Sequence, residues 1–277
     1  MSGILYVTGT PIGNLEDITI RQLRTLEEVD FIAAEDTRVT RKLLTHFEIK
    51  TELVSCHEHS SDSVINHIAD RIQAGENCAV VTDAGMPCIS DPGEELVKLC
   101  RERDIPVQSV PGPSAVITAL SVCGGSTRQF VFYGFLPVEK KQRSAMLKEL
   151  QSESRTAVLY EAPHKLRKTL EDLARISDDF RTISLCRELT KIHEEVLRMT
   201  IPEAVQYYTD KEPKGEFVLV LGGVQKQSEA FTPEEAVSLA EHYLAEGMSS
   251  SAAAKLAAKE TGIPKNQIYQ AMHTGNQ

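Results

Sequence analysis

The sequence predicts an α/β protein with two domains and a small helical tail. Three observations point there. Short apolar, β-rich runs alternate with helical patterns. Segments rich in Gly, Pro and Asp leave several of those runs. The length, 277 residues, suits two domains of ordinary size.

In the first half, strands are expected at 4–8, 31–34, 53–55, 79–82 and 107–110. Most are continuous apolar runs, the pattern of strands covered on both faces of a mainly parallel sheet. Between them, Val64, Ile65, Ile68, Ala69 and Ile72 form the apolar stripe of a helix started by Ser61 or Asp62. Leu96, Val97, Leu99 and Cys100 form a second stripe. For that helix Asp91 is expected to cap, with Pro92 in the first turn and Glu94 and Glu95 opposing the helix dipole.

The polar, Gly-rich stretch 124–129 (GGSTRQ) reads as a hinge, so a first domain is expected over 1–122 and a second over 123–225. The second has strands expected at 130–134, 157–160, 183–185 and 217–221, and helices near 139–149, 164–176 and 202–208. A polar linker (QKQSEA, 225–230) leads to the tail, 226–277. There, Thr232-Pro233-Glu234-Glu235 has the form of a capping-box start, and Gly247 and Gly262-Ile263-Pro264 divide the tail into about three short helices.

Composition narrows the function. Hydrophobic residues at 41% and charged residues at 25% describe a globular chain. No apolar run approaches the roughly 20 residues of a membrane span, and no basic stretch precedes the short apolar run at the N-terminus, so a soluble cytoplasmic protein is expected. The six cysteines show no CxxC spacing, which argues against zinc and a disulfide framework; Cys78, Cys100 and Cys186 read as small core residues. His57 and His59, at alternating strand spacing, would point to opposite faces, so no metal site is expected. The net charge of -10 argues against a general polyanion binder, yet basic residues bunch at Arg38, Arg41 and Lys42, at Lys140, Lys141 and Arg143, and at His164, Lys165, Arg167 and Lys168.

Several segments stand at strand ends, where chemistry is expected. They are 8–14 (TGTPIGN), 83–93 (DAGMPCISDPG), 110–115 (VPGPSA), 160–165 (YEAPHK) and 213–217 (PKGEF). None is a GxGxxG dinucleotide fingerprint. The 83–93 loop is the most informative, because it places small turn residues over a stretch far longer than a turn needs.

Taken in order, TPIGNLEDIT, AEDTRVTRKLL, DAGMPCISDPG, VPGPSA, YEAPHK and KGEFVLVLGG resemble the ribosomal RNA small-subunit methyltransferase I family. That family is part of the tetrapyrrole-methylase-like, class III S-adenosylmethionine (SAM) methyltransferases. The resemblance covers about residues 3–225, and the helical tail is similar too. Lys165 stands where Arg is expected, Cys56 where an aromatic is common, and Met86 where Thr is usual.

The resemblance implies a two-domain class III fold, a homodimer, SAM folded in the inter-domain cleft, and methylation of a cytidine 2′-hydroxyl in 16S rRNA of the small subunit. It implies that Pro11 lines the cleft, that Asp83, Gly85, Cys88 and Ile89 hold the amino-acid or ribose portions, and that Ser114 and Ala115 touch the cofactor. Tyr160, Glu161, Ala162 and Pro163, with Glu188, Leu189, Gly215 and Glu216, would close over the adenine. A hydroxyl nucleophile needs a base. The candidates are Glu35, Asp36, His57 and Glu161, with Glu35 and Asp36 first because they follow a strand end beside Arg38 and Arg41. Arg38, Arg41, Lys42, Lys140, Arg143, Lys165 and Arg167 are the expected RNA contacts. Two rivals stand beside this reading: a precorrin-type small-molecule methyltransferase of the same fold, and a non-catalytic RNA-binding assembly factor.

Overall fold

The computed structural model of the chain describes residues 2–224 and 231–274. Met1–Val224 is one compact unit and Gln225–Gln277 a second. The linker expected over 225–230 lies outside the described residues.

The first unit begins with a parallel sheet of β1 (Leu5–Thr8), β2 (Phe31–Ala34), β3 (Glu52–Ser55), β4 (Cys78–Val81) and β5 (Val107–Val110), in the order β3-β2-β4-β1-β5. Its helices are α1 (Ile20–Glu28), α2 (Thr37–His46), α3 (Asp62–Gln73), α4 (Glu94–Glu102) and α5 (Ala115–Val122). The alternation within each apolar strand serves two cores. Ile32, Ala34, Ala79 and Val81 pack with Leu26 of α1 and Leu44 of α2. Phe31, Ala33, Cys78 and Val80 pack with Ile68 and Ile72 of α3 and with Leu96 and Cys100 of α4. After β1 the chain runs out to β2 and β3, returns as β4 beside β1, and crosses to β5 on the other side. The loops leaving β1, β4 and β5 therefore meet at the carboxyl edge of the sheet, where open α/β sheets bind ligands.

The second sheet contains β6 (Phe130–Phe135), β7 (Thr156–Glu161), β8 (Thr182–Arg187), β9 (Glu195–Thr200) and β10 (Phe217–Leu221), in the order β6-β7-β10-β8-β9. Only β6 and β7 pair in parallel; the other pairs are antiparallel. Helices α6 (Lys140–Ser152), α7 (Pro163–Ile176) and α8 (Ile201–Asp210) lie on one face, with Leu166, Leu170 and Leu173 against Leu159, Leu185 and Leu219. The other face is covered by α5, whose Val116, Ala119 and Leu120 pack on Val158, Cys186, Val218 and Val220. A helix from within the segment 1–122 thus completes the core of the second sheet.

In the second unit α9 (Pro233–Ala245), α10 (Ser250–Thr261) and α11 (Lys265–Thr274) close a small core of Ala236, Ala240, Ala254, Ala257, Ile268 and Met272. Thr232 and Glu235 form a reciprocal capping box, and Gly262 ends α10 at φ 74°. Among the described residues, no helix is long and apolar enough to cross a membrane.

Two local expectations are corrected. The helix α4 begins at Glu94, capped by Gly93 at φ 117°, and not by Asp91 and Pro92. The chain is still turning at Pro92, whose carbonyl accepts from Cys88 N at 3.2 Å. His57 and His59 lie in the turn after β3, so the strand alternation invoked for them does not apply. Among the described residues, no group of three or more His, Cys, Asp and Glu side chains is placed to hold a metal ion. Cys78, Cys100 and Cys186 are fully buried and unpaired.

Candidate active site

The carboxyl edge of the first sheet is held together by backbone contacts. Thr10 and Gly85 exchange two hydrogen bonds, Thr10 N to Gly85 O at 2.9 Å and Gly85 N to Thr10 O at 3.2 Å. These tie the β1 loop to the β4 loop. Gln22 Nε2 donates to Gly9 O at 2.6 Å. A methyl group on Gly9 would stand 2.9 Å from the Gly112 Cα, so the β1 and β5 loops meet backbone to backbone and both positions require glycine.

Next to these loops lies a cleft of about 410 Å³ with walls from both sheets. Ile12, Gly85, Met86, Ile89, Ser114 and Ala115 line one side; Tyr160, Glu161, Ala162, Pro163, Leu189 and Glu216 line the other. Ten residues named from the sequence are thereby brought to one cavity: Gly85, Ile89, Ser114, Ala115, Tyr160, Glu161, Ala162, Pro163, Leu189 and Glu216. The Ser114 hydroxyl makes no capping hydrogen bond to its own helix.

The other expected cofactor residues stand elsewhere. Pro11 faces a separate cavity of about 240 Å³, with Leu15, Val39 and Leu43; its neighbour Ile12 takes the place in the cleft. Asp83 lines that same separate cavity, and its carboxylate accepts from Asp36 N at 3.2 Å. Cys88 lines a third cavity, of about 460 Å³, with Glu35, His57, Glu58, Glu94 and Glu95. Glu188 and Gly215 act behind the wall. The Glu188 carboxylate accepts from Glu216 N and Lys191 Nζ, both at 2.9 Å, and a methyl on Gly215 would stand 2.5 Å from Glu188 Cγ. Burial raises the Glu188 carboxyl, but the Glu216 amide and Lys191 outweigh it and hold the group below its ordinary value.

Sequence reasoning left out Ser90, Asp91, Phe135 and Cys186, all of which line the cleft. Ser90 and Asp91 also line the acidic cavity, so they form the boundary shared by the two. Cys88 and Ser90 hold φ values of 69° and 66°, left-handed backbone in a loop that points Asp91 inward. Asp91 titrates at about 6, raised by burial first and then by the charges of Glu35 and Asp83. Phe135 reaches the cleft because the β6–β7 register shifts between Phe132 and Gly134, a bulge that re-aims the strand end; its ring meets Tyr160 edge-on at 5.5 Å. Burial pushes the Tyr160 hydroxyl up to about 12.

The two acids expected to be catalytic differ. Glu35 lines the acidic cavity, its carboxylate accepts from Asp83 N at 3.3 Å, and burial raises its pKa. Asp36 lines neither cavity. It caps α2 through Arg38 N at 2.8 Å and pairs with the Arg38 guanidinium, which holds its carboxyl far below the usual range. A group so held is a poor base, and the expectation for Asp36 is corrected.

The basic clusters also divide. Arg38, Arg41, Lys42 and Lys140 are exposed and Lys165 is half-buried. Arg143 is not a surface cation: its guanidinium pairs with Asp172 at 2.9 Å, with side chains only 12% and 9% exposed. Arg167 donates to Tyr208 O at 2.8 Å and Lys211 O at 3.3 Å, where it serves the C-terminal end of α8. Arg143 is thus used inside the fold, while Arg167 stays exposed with its guanidinium held by those carbonyls.

A model of the Tetrapyrrole (Corrin/Porphyrin) Methylases matches residues 4–205, and one described as RsmI C-terminal HTH domain matches 233–275. The ribosomal RNA small subunit methyltransferase I of Halalkalibacterium halodurans is 47% identical over 278 residues, covering 98% of this chain and 95% of that protein. The one of Bacillus subtilis is 44% identical, covering 98% and 94%. The chain belongs to this methyltransferase family. Among solved structures, a uroporphyrin-III-C-methyltransferase from Thermus thermophilus aligns with TM-score 0.56 at 20% identity, over 79% of this chain and 94% of that one. A cobalt precorrin-4 methyltransferase aligns with TM-score 0.57 at 18% identity, over 79% and 94%. These similarities establish the class III, tetrapyrrole-methylase fold for the first unit. Another Thermus thermophilus uroporphyrin-III C-methyltransferase, TM-score 0.56 at 16% identity over 79% and 97%, is complexed with S-adenosyl homocysteine.

The cleft of this methyltransferase family member fits such a ligand on its own chemistry. Ile12, Met86, Phe135, Leu189 and Phe217 give an apolar wall suited to a purine. Asp91, Glu161 and Glu216 offer carboxylates to amine, hydroxyl and sulfonium groups, and Ser114 adds a hydroxyl.

Proposed function

We propose that the chain transfers the methyl group of SAM to the ribose 2′-hydroxyl of a cytidine in 16S rRNA of the small ribosomal subunit. One observation carries this reading: the apolar, carboxylate-bearing cleft shares Ser90 and Asp91 with an acidic cavity at the same sheet edge. Donor and acceptor each have a place beside a common wall. The names of the full-length relatives support ribosomal RNA as the acceptor.

Bound SAM supplies an already activated methyl group, so the protein's own work is orientation and proton removal. Ile12, Met86, Ser114, Tyr160 and Leu189 hold the donor, and Asp91 faces its positive charge. Carboxylates accept from the exocyclic amine of cytosine, a donor that uracil lacks; Glu35, Glu58, Glu94 and Glu95 give the acidic cavity that preference. Within that cavity Glu35, raised by burial, is the group to receive the hydroxyl proton. Arg38, Arg41 and Lys42 on α2, directly after Glu35 and Asp36, are placed to engage phosphates outside it, with Lys140 and Lys165 as further contacts. A cytoplasmic homodimer is part of the same reading, and sedimentation velocity measures the assembly.

The test is methyl transfer from labelled SAM to small ribosomal subunits lacking the modification, with tetrapyrroles as a control. Mass spectrometry then locates the label. Ribose-methylated cytidine supports the reading; label on a base, on a tetrapyrrole or nowhere contradicts it.

A further inference from the structure

Arg143 was expected on the RNA-facing surface, and the fold uses it in another way. The Glu161 residue, 4% exposed, ends β7 in the wall of the cleft. One of its carboxylate oxygens accepts from Ala162 N at 2.8 Å, and the other accepts from Thr169 Oγ1 on α7. Thr169 Oγ1 in turn accepts from Arg143 Nη2 at 2.9 Å. Arg143 Nε donates to Asp172 Oδ2 at 2.9 Å, and Asp172 Oδ1 accepts from Arg175 Nη1 at 2.9 Å. Each donor in this series has one acceptor. A guanidinium on α6 therefore fixes the direction of the Thr169 hydroxyl, and that hydroxyl fixes the Glu161 carboxylate.

We propose that Arg143 and Thr169 are positioning residues of the donor cleft, holding the Glu161 carboxylate in the one orientation that meets the bound SAM. The proposal rests on the SAM reading above. Neither residue lines the cleft. Their effect passes through Glu161 and through the backbone of Ala162 and Pro163, which line it beside the adenine side. The arrangement also joins α6 to the Tyr160–Pro163 segment of the wall. A buried carboxylate released from its donor would turn to another partner or take up water, and a cleft wall left mobile binds its ligand less tightly.

The experiment is calorimetry with S-adenosyl homocysteine on the full chain and on Thr169→Val, Thr169→Ser and Arg143→Lys, each checked by circular dichroism and thermal melting. Thr169→Val is isosteric but lacks the hydroxyl; the expected result is a dissociation constant about tenfold higher, as for loss of one hydrogen bond to a charged group. Thr169→Ser restores the hydroxyl and is expected within about twofold of the native value. Arg143→Lys keeps the charge and loses the fork, and is expected to bind between the two. If Thr169→Val lowers the melting temperature yet binds as tightly as the native chain, or Thr169→Ser fails to rescue, the relay is structural only and the proposal is overturned. If Thr169→Val does not fold, Thr169→Ser and Arg143→Lys decide alone: native affinity in Arg143→Lys overturns it. If the native chain binds neither SAM nor S-adenosyl homocysteine, the SAM reading fails, and the proposal falls with it by a visibly different result.

Discussion

Gly9 and Gly112 meet backbone to backbone, so that a methyl group on Gly112 would stand 3.1 Å from the Gly9 Cα and 2.2 Å from Gln22 Nε2. The contact sets the spacing between the β1 and β5 loops that lead to Ile12 and Ser114 in the cleft. Gly112→Ala forces either the backbone or the buried Gln22 amide to move. The expected loss is about 1–3 kcal/mol of stability, together with weaker donor binding. Thermal unfolding and calorimetry measure the two, and native values for both would show that the loops are not in this contact.

The carboxylates at the sheet edge make opposite predictions for two adjacent residues. Asp36→Ala removes the α2 cap and the Arg38 pair, and should lower the melting point with little change in single-turnover rate when SAM is saturating. Glu35→Gln should lower that rate by about 10²-fold or more. Equal rates for both variants would remove Glu35 from the proton-transfer role.

Asp91 links pH to stability with a definite sign. Its folded-state pKa is raised from 3.8 to about 6, so this residue favours the native state below about pH 4 and disfavours it as the pH rises through 6. Asp91→Asn is therefore expected to melt above the native chain at pH 7.5, with the difference shrinking toward pH 4. The same variant should bind SAM more weakly, since it loses a carboxylate facing a cation. A lower melting point at pH 7.5 would contradict the unfavourable burial of this charge.

Charge reversal separates surface cations from internal ones. Arg41→Glu and Lys42→Glu should weaken RNA binding, reduce the salt slope by roughly 0.7 per lost single-strand phosphate contact, and leave SAM binding unchanged. Arg143→Ala instead removes the buried partner of Asp172, leaving it the more exposed Arg175 and Lys168, and is expected to cost about 1–3 kcal/mol of stability. Filter binding at several salt concentrations, with parallel melting curves, distinguishes the two classes. An unchanged salt slope for the α2 variants would move the RNA surface elsewhere.

Much of the fold was legible because most strands of the first sheet are short apolar runs, with β2 and β4 buried along their whole length. Phe31–Ala34 and Val107–Val110 match the observed strands residue for residue. The Glu195–Thr200 strand (EVLRMT) escaped because an edge strand with Glu and Arg on it carries no such run. The turn segments were readable as ligand loops, since chain reversals with that many Gly and Pro residues expose backbone at strand ends. What could not be read was the direction in which a loop points. Asp91-Pro92-Gly93-Glu94 has the composition of a helix start, but left-handed backbone at Cys88, Ser90 and Gly93 delays the helix and turns Asp91 into the cleft. Arg143 next to Lys140 and Lys141 reads as a solvated cluster; that its partner is Asp172, a turn along α7 from Thr169, depends on how α6 packs on α7.

The most direct test of the central claim is a crystal structure of the full chain with S-adenosyl homocysteine. The ligand is expected between the two sheets, touching Ile12 and Ser114 on one side and Tyr160 and Leu189 on the other. A ligand seated in the acidic cavity of Glu35 and Glu94, or on the surface of one sheet alone, would contradict the account.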